Sequence, residues 1–511
     1  MSPNLIFENS KSGELTCCFQ GKYLHSKYNP KNEGEKFAAN LQADFSPLCI
    51  FILEPALSYC AQFLKNRFPN AKICAIRYCK DFSQTDYLWD KVFYLEKQNI
   101  ISLEEVLFNA LGEELLISSL AFDWQPSKSV FPEESFEVWS SLKKAILKAR
   151  DVIGTRAYFS KRWLKNSLIF AKNINYGFTL EKGDSPVIIA ASGPSLKSSL
   201  PYLKKYRDSF FLIALSSAFM PLSKNGIQPD ILISSDGGFW AKKHLAFPGN
   251  ASKPFFALEA ESAAPIKLLN ENKIIPLCYD DGLERDFLDT ISVPYMLSER
   301  NGTVAGTALC FAHSLTNGKI YLCGLDQCPS PSFQHTQPNA LEIDNAKKDF
   351  RLSTAETRIT KSRFNSAAVL EIYRQWFVSN SSRFSKRVFR LSDNLKYDFS
   401  LGEISEVNWE DFKKNETVHR ESKKPEFIQR NEGIHGEERE NLLLNKLREI
   451  SKTQKFQNEV FPMDTILIKR ELSEEKRLTL KSNLEEKTEK LLKDCAKLIF
   501  SSKNQAERNL K

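Results

Sequence analysis

The stretch Pro186-Val187-Ile188-Ile189-Ala190-Ala191-Ser192-Gly193-Pro194-Ser195-Leu196-Lys197 decides the fold. A short apolar run of β-branched residues stops at Ser-Gly-Pro-Ser, and a helical pattern follows. This is a strand–loop–helix unit whose loop lies at the carboxyl end of a buried strand. In open α/β sheets, backbone N–H groups and a helix N-terminus converge on phosphate at that place. Gly193 is expected to let a ligand approach the backbone, and Pro194 to stiffen the turn. Ser192 and Ser195 offer hydroxyls to an anion; Ser195, Ser198 and Ser199 equally suit helix capping. Pro201 places the predicted helix start near Ser198 or Ser199, with proline in the first turn.

Working outward, residues 183–400 alternate strand and helix. Strand-like runs fall at 187–190, 210–215, 230–234, 255–258, 274–278 and 319–323. Most are apolar throughout, as a parallel sheet covered on both faces requires. A helix over 362–377 and a strand over 387–391 close this unit. Residues 1–125 read as a smaller N-terminal α/β domain containing a hairpin around Gln20-Gly21 and a βαβ unit. Its turn, Glu54-Pro55-Ala56-Leu57-Ser58, has no glycine, which argues against a dinucleotide there. Residues 126–182 form a helical connector, with apolar residues at helical spacing from Phe136 to Leu168. Residues 401–511 are charged, glycine-poor and helical, the pattern of an appendage or an oligomer contact. The fold class expected is α/β: a doubly wound, mostly parallel sheet with a smaller N-terminal mixed domain and a helical C-terminal region.

At 511 residues the chain exceeds one ordinary core, and 42% hydrophobic with 26% charged residues is a globular composition. No apolar run reaches membrane-spanning length and the N-terminus lacks the blocks of a signal peptide, so a cytoplasmic protein is expected. The eleven cysteines are scattered, several inside apolar runs, which fits buried thiols in a reducing compartment. None has zinc spacing, so no metal site is expected. A net charge of +8 permits an anionic substrate without arguing for nucleic acid.

Further strands end in polar residues. Residues 210–215 lead to Ser216-Ser217, and 231–235 to Asp236-Gly237-Gly238. Asp236 can hold a sugar hydroxyl, a base edge or a divalent cation, or cap a helix over 239–245. Asn301-Gly302-Thr303 opens another helix and is a second candidate anion or ribose contact. The strand from Lys319 ends at Asp326, with His335 in the polar loop beyond. Of the six histidines, His313 reads as packed in a helix, His244 is ambiguous, His419 and His435 fall in the charged tail, and His335 is best placed to take a proton.

These segments carry a resemblance. Ile189–Lys197 together with Gly302-Thr303-Val304 and Lys319–Asp326 resembles the motility-associated factor (Maf) family of flagellin glycosyltransferases. It is also similar to bacterial sialyltransferases that use CMP-activated sialic acid. Leu24–Pro30, Trp163–Asn166 with Asn173, and Gly226–Asp230 add to the likeness, which spans residues 20–340. The resemblance implies transfer of a nonulosonic sugar from a CMP donor to Ser or Thr of flagellin, with no metal required. It would place Ser192, Gly193, Pro194 and Ser195 on the phosphate, and Ser216 or Ser217 near cytidine or sugar. Gly302 and Thr303 would contact ribose or phosphate, Asp326 would lie at the pocket floor, and His335 would be the base. The same central segment resembles archaeal 6-hydroxymethyl-7,8-dihydropterin pyrophosphokinase, in which ATP would occupy the loop and Asp236 would bind magnesium. The added domains favour the glycosyltransferase; a non-catalytic flagellar assembly factor is a third reading. Flagellin or another flagellar protein is the implied partner, and the C-terminal helices offer an oligomer contact.

Overall fold

Val187–Ala190 and Phe211–Leu215 are buried along their whole length, which requires covered faces on both sides of the sheet they form. A computed structural model describes residues 5–96, 102–175, 177–238, 241–245, 254–330, 333–354, 357–358, 366–391, 399–416, 422–429 and 433–501. It divides into two compact units that cut across the four expected segments. One comprises residues 1–158 and 457–489, the other 159–456 and 490–511. The connector is a single helix, Pro132–Asn173, contributing its first part to one unit and its last part to the other.

The larger unit holds a nine-stranded sheet. Its strands are β1 (Val187–Ala190), β2 (Phe211–Leu215), β3 (Ile231–Ser234), β4 (Phe255–Glu259) and β5 (Ile274–Tyr279). They continue with β6 (Met296–Ser298), β7 (Ile320–Cys323), β8 (Val388–Leu391) and β9 (Ser405–Val407). The order across the sheet is β6-β5-β4-β3-β2-β1-β7-β8-β9, and every pairing is parallel. The winding direction reverses between β1 and β7. The loops leaving the strands on either side of such a switch point lie together at the carboxyl edge of the sheet, where open α/β sheets commonly bind ligands. Side chains alternate along β1: Val187 and Ile189 join Phe211, Ile213, Ile231 and Ile233 in one core, while Ile188 and Ala190 are buried toward the other face. The first core is closed by Ala305, Ala308, Leu309 and Ala312 of a helix over Val304–Leu315.

Two edge strands, β6 and β9, lie outside the strands read from the sequence. Each has three residues, too few to show a pattern. The helix after β1 also starts earlier than expected, at Leu196. Leu196 N–H donates to Gly193 O at 3.0 Å and Lys197 N–H to Pro194 O at 3.3 Å, so the first turn is fixed before Pro201, which sits inside the helix.

The smaller unit carries a four-stranded parallel sheet in the order Lys91–Tyr94, Lys72–Arg77, Cys49–Leu53, Ser119–Asp123. A separate antiparallel sheet includes the hairpin of Leu15–Phe19 and Lys22–Tyr23, turned by Gln20 (φ +50°) and Gly21 (φ +79°). Where a nucleotide loop would follow Cys49–Leu53, the turn is filled from within. Glu54, Ala56 and Ser58 adopt φ of +41°, +45° and +63°. The buried Arg77 guanidinium bonds Ala56 O at 2.6 Å, Ser58 Oγ at 3.0 Å and Glu54 Oε1 at 3.3 Å.

Candidate functional site

The Ser-Gly-Pro-Ser loop leaves β1 at the switch point, where the loop leaving β7 meets it. Gly193 N–H donates to Gly324 O at 2.8 Å, continuing the β1–β7 ladder past both strands. A Cβ on Gly193 would stand 2.5 Å from Gly324 O and 2.8 Å from Asp326 Oδ2; one on Gly324 would stand 2.3 Å from Ala191 O. Gly193 is therefore a place of contact between two protein loops, a different reason for glycine from the expected approach of a ligand. Ser195 is held in the same way. Its N–H donates to Asp326 Oδ2 at 2.8 Å and its hydroxyl donates to Asp326 Oδ1. The amide and hydroxyl expected to cradle phosphate are thus occupied by a carboxylate of the same chain. Asp326 is buried, and burial pushes its carboxyl above the ordinary range, against the opposing hydrogen bonds from Ser195.

Ser192 lies at the rim of this contact. Its hydroxyl shares a 2.8 Å hydrogen bond with Ser217, from the short turn Ser216–Ala218 that follows β2. Ser216 itself is buried. The segment carrying His335 folds down over the loop: Thr336 N–H donates to Ser192 O and Thr336 Oγ1 to Gly193 O, both at 2.7 Å. Asn339 Nδ2 donates to Ser217 O at 3.4 Å. Ser192, Gly193, Ser195, Ser217, Asp326 and the His335 segment are therefore one connected assembly at the ends of β1, β2 and β7. Pro194 contributes its carbonyl to the first helical turn.

His335 was expected beside Asp326. Both Asp326 oxygens instead face Ser195, and the carboxylate that favours charge on His335 is Glu342. Burial outweighs that attraction and pushes the imidazole below its ordinary value, leaving it neutral at pH 7.

Asp236, after β3, is exposed, and its Oδ1 accepts Gly238 N–H at 2.7 Å. The helix expected over 239–245 is described only from Ala241 to His244, residues 239–240 lying outside the described residues, as do 331–332 of the His335 loop, the expected helix start at 362 and His419. Asp236 is positioned from below. Asn166 Nδ2 donates to Gly237 O at 3.3 Å and to Glu261 O at 2.9 Å, and a Cβ on Gly237 would stand 2.7 Å from the Trp163 ring. The Trp163…Asn166 spacing thus joins the loops after β3 and β4.

The helix over Val304–Leu315 aims its N-terminus at the same end of the sheet. Thr303 Oγ1 accepts Ala305 N–H at 3.1 Å and Gly306 N–H at 3.2 Å, so its oxygen caps its own helix. Gly302 is different: it is exposed, has φ +73°, and no atom lies within 4 Å of where its Cβ would be. Thr307 Oγ1, one turn on, lies 3.3 Å from Ser235 Oγ, tying this helix to the loop after β3.

Two groups were not among the expected site residues. His244 feels the charge of both His335 and Asp236; burial first and His335 second push it down to about 4. Glu259 ends β4 fully buried, and burial pushes it up to about 8 against the opposing Ser298 hydroxyl. Glu259 had a detectable signal, a carboxylate closing an apolar strand. His244 had none, because its neighbours are set by tertiary contact.

A doubly wound, all-parallel sheet whose loops gather at the switch point defines the class: an α/β fold. Residues 161–331 match the family model described as 6-hydroxymethylpterin diphosphokinase MptE-like. The chain shares its fold with the solved structure of a MAf glycosyltransferase from Magnetospirillum magneticum AMB-1. That likeness covers 100% of this chain and 93% of the other, with a TM-score of 0.53 and 13% identity. The resemblance read from the sequence, to Maf proteins with an MptE-like centre, is thus found again in the whole-chain fold and in the central segment. An uncharacterised protein of Treponema pallidum (strain Nichols) is 31% identical over 300 residues, which are 58% of this chain and 65% of that protein. A second from the same organism is 28% identical over 118 residues, 22% of this chain and 55% of that protein. The matches span less than two thirds of either relative. Among the described residues no helix is long and apolar enough to cross a membrane, and no three His, Cys, Asp or Glu side chains group as metal ligands would.

Proposed function

We propose that the chain is a glycosyltransferase that moves a nonulosonic sugar from its CMP donor to a Ser or Thr hydroxyl of flagellin, acting in the cytoplasm in support of flagellar assembly. The observation that supports this reading is the joining of a Maf fold over the full chain to a polar loop cluster at the switch point, with the half-buried His335 in the segment that bonds to it. The acceptor hydroxyl attacks the anomeric carbon, the bond from that carbon to the phosphate oxygen breaks, and CMP leaves with the bonding pair. His335, neutral because it is buried, takes the proton from the attacking oxygen. Asp326 acts through Ser195 and is a positioning residue in this scheme. Ser192, Ser216, Ser217, Asp236 and the open Gly302 supply the donor contacts, and the transfer itself needs no metal.

The experiment is incubation of the purified protein with a CMP-nonulosonic acid and flagellin. Release of CMP with a matching mass gain on flagellin is expected, and His335→Ala lowers turnover while CMP affinity stays near that of the parent. A His335→Ala variant of full activity removes that residue as the base. The match of residues 161–331 to the MptE-like model favours a second reading, ATP-dependent diphosphate transfer to 6-hydroxymethyldihydropterin with magnesium on Asp236. AMP release in that assay, without sugar transfer, decides for it. Binding of flagellin with neither reaction identifies an assembly factor.

A further inference from the structure

Residues 333–339 form neither helix nor strand, yet the main chain around His335 is fastened on both sides. Before it, Gln334 Nε2 donates to Cys328 O at 2.9 Å, in the loop leaving β7, and Gln334 Oε1 accepts Ser330 N–H at 3.4 Å. After it, Thr336 donates twice, through its N–H to Ser192 O and through Oγ1 to Gly193 O, both at 2.7 Å. Gln337 Nε2 donates to the carbonyl of His335 itself at 3.1 Å. Asn339 Nδ2 donates to Ser217 O at 3.4 Å, in the turn after β2, while its Oδ1 accepts Leu341 N–H at 3.1 Å at the start of the helix Ala340–Ala346. The segment is thus tied in turn to the loops after β7, β1 and β2. Irregular surface segments without such ties are the parts of a fold that open first.

Thr336 makes the shortest of these bonds and is the residue that touches the Ser-Gly-Pro-Ser loop. It is buried, and its β-branched side chain has few rotamers, so its two donors stay on two consecutive carbonyls. Gly193 O is shared, because it also accepts Leu196 N–H at 3.0 Å. Loss of the Thr336 hydroxyl therefore strands no buried acceptor, and the helix after β1 keeps its first turn.

Resting on the reading of His335 as the base, we propose that Thr336 is a positioning residue whose hydroxyl latches the main chain of His335 to the loop after β1. A base must stand within hydrogen-bond reach of the proton that it takes. A misplacement of an ångström costs rate far more than it costs affinity. The latch fixes the separation of the His335 backbone from Ser192 and Gly193, and Thr336 itself touches neither substrate.

The test compares Thr336→Val, which keeps the shape and the N–H and loses the hydroxyl, with Thr336→Ser, which keeps the hydroxyl. Two measurements are made on the full chain. One is steady-state sugar transfer to flagellin from CMP-pseudaminic, CMP-legionaminic and CMP-N-acetylneuraminic acids. The other is modification of His335 by diethyl pyrocarbonate, read by peptide mass spectrometry against the exposed His435. Thr336→Val is expected to lower kcat about tenfold, as loss of one hydrogen bond predicts, with donor KM within about twofold of the parent. His335 is expected to react at least about threefold faster relative to His435, because its segment opens more often. Thr336→Ser restores both values. Parent and Thr336→Val alike in both measurements overturn the proposal. Faster modification with an unchanged kcat overturns it too, since the latch then has no part in the reaction. A Thr336→Ser variant no better than Thr336→Val overturns it by assigning the loss to packing, and a raised donor KM at unchanged kcat does so by assigning it to binding. A parent that transfers none of the three sugars, or a fully active His335→Ala, overturns the reading above and the positioning role with it.

Discussion

The carboxylate of Asp326 takes both the backbone N–H and the hydroxyl of Ser195, across 131 residues of chain, and so locks the loop after β1 to the loop after β7. A single side chain thereby ties the two loops together. Asp326→Ala leaves the Ser195 N–H without its acceptor in a buried place, at a cost of about 1–3 kcal/mol. Asp326→Asn keeps one acceptor oxygen and turns an NH2 group toward the second donor, so it falls between alanine and the parent. Urea unfolding of the three proteins measures the order. Equal stability of Asp326→Ala and the parent would show that the lock contributes nothing.

The glycines of the crevice differ in what they tolerate. Gly193→Ala and Gly324→Ala drive a Cβ into backbone oxygen of the facing loop, at 2.5 and 2.3 Å, and no flexible side chain can yield there. Each is expected to cost at least about 3 kcal/mol. Gly302→Ala meets open space and is charged only for its left-handed φ, about 1 kcal/mol. Thermal unfolding should place Gly302→Ala above the other two by about 3 °C; if Gly302→Ala is the most damaging, the two-loop account of Gly193 fails.

Much of this organisation was legible in the sequence, because apolar runs such as Val187–Ala190 and Ile320–Cys323 are buried on both faces and sequence pattern follows burial. The loop at the carboxyl end of a buried strand was legible too, since Ser-Gly-Pro-Ser ends such a run, whereas the strand order that makes it a switch point was not. What the loop does was not. A Ser-Gly-Pro-Ser turn offers the same donors to a phosphate and to a carboxylate, and only the return of the chain at Asp326 decides between them. The pairing of His335 with Asp326 was inferred from nearness along the chain, whereas the eight intervening positions let His335 come under the influence of Glu342 and lie near enough to His244 to affect it. Strands β6 and β9 have three residues each, and no periodicity survives at that length.

The loops carrying Asp236 and Glu261 depend on Asn166, whose Nδ2 spans Gly237 O and Glu261 O. Asn166→Ala removes both bonds and is expected to cost about 1–2 kcal/mol. Asn166→Asp is worse, because it aims a carboxylate at two carbonyl oxygens with no donor between them. Guanidinium unfolding at pH 7 checks the ranking, and an aspartate variant as stable as the alanine variant would contradict the geometry.

Glu259 sets a pH dependence whose sign follows from burial. Its folded pKa, raised to about 8, lies above the ordinary 4.5 of the unfolded chain, so the native state holds the proton more firmly. The stability linked to this proton is complete below pH 4.5 and is lost as pH rises through 8. Glu259→Gln mimics the neutral acid at every pH. It should match the parent near pH 5 and exceed it in melting temperature at pH 9. A difference that is constant across this range would mean that Glu259 is not held neutral.

In the smaller unit, Arg77 and Glu54 are both fully buried and meet at 3.3 Å, with further bonds from Arg77 to Ala56, Ser58, Thr85 and Asp86. Burial pushes Glu54 above the ordinary carboxylate range and Arg77 opposes it. Removing the cation alone strands a carboxylate in a dry place, so Arg77→Met is expected to cost about 3–5 kcal/mol. It also frees a turn that holds three residues at positive φ and removes the donor to the Ala56 carbonyl. The partner substitution discriminates between charge and geometry. If the loss is electrostatic, Glu54→Gln in the Arg77→Met background restores part of the stability, because the stranded charge is gone. If Arg77 matters chiefly as the donor that shapes the turn, the double variant is no better than Arg77→Met alone. The contacts to Ala56 O and Ser58 Oγ, at 2.6 and 3.0 Å, are shorter than the 3.3 Å to Glu54, so partial recovery, less than half of the loss, is the expected outcome of the double-variant melt.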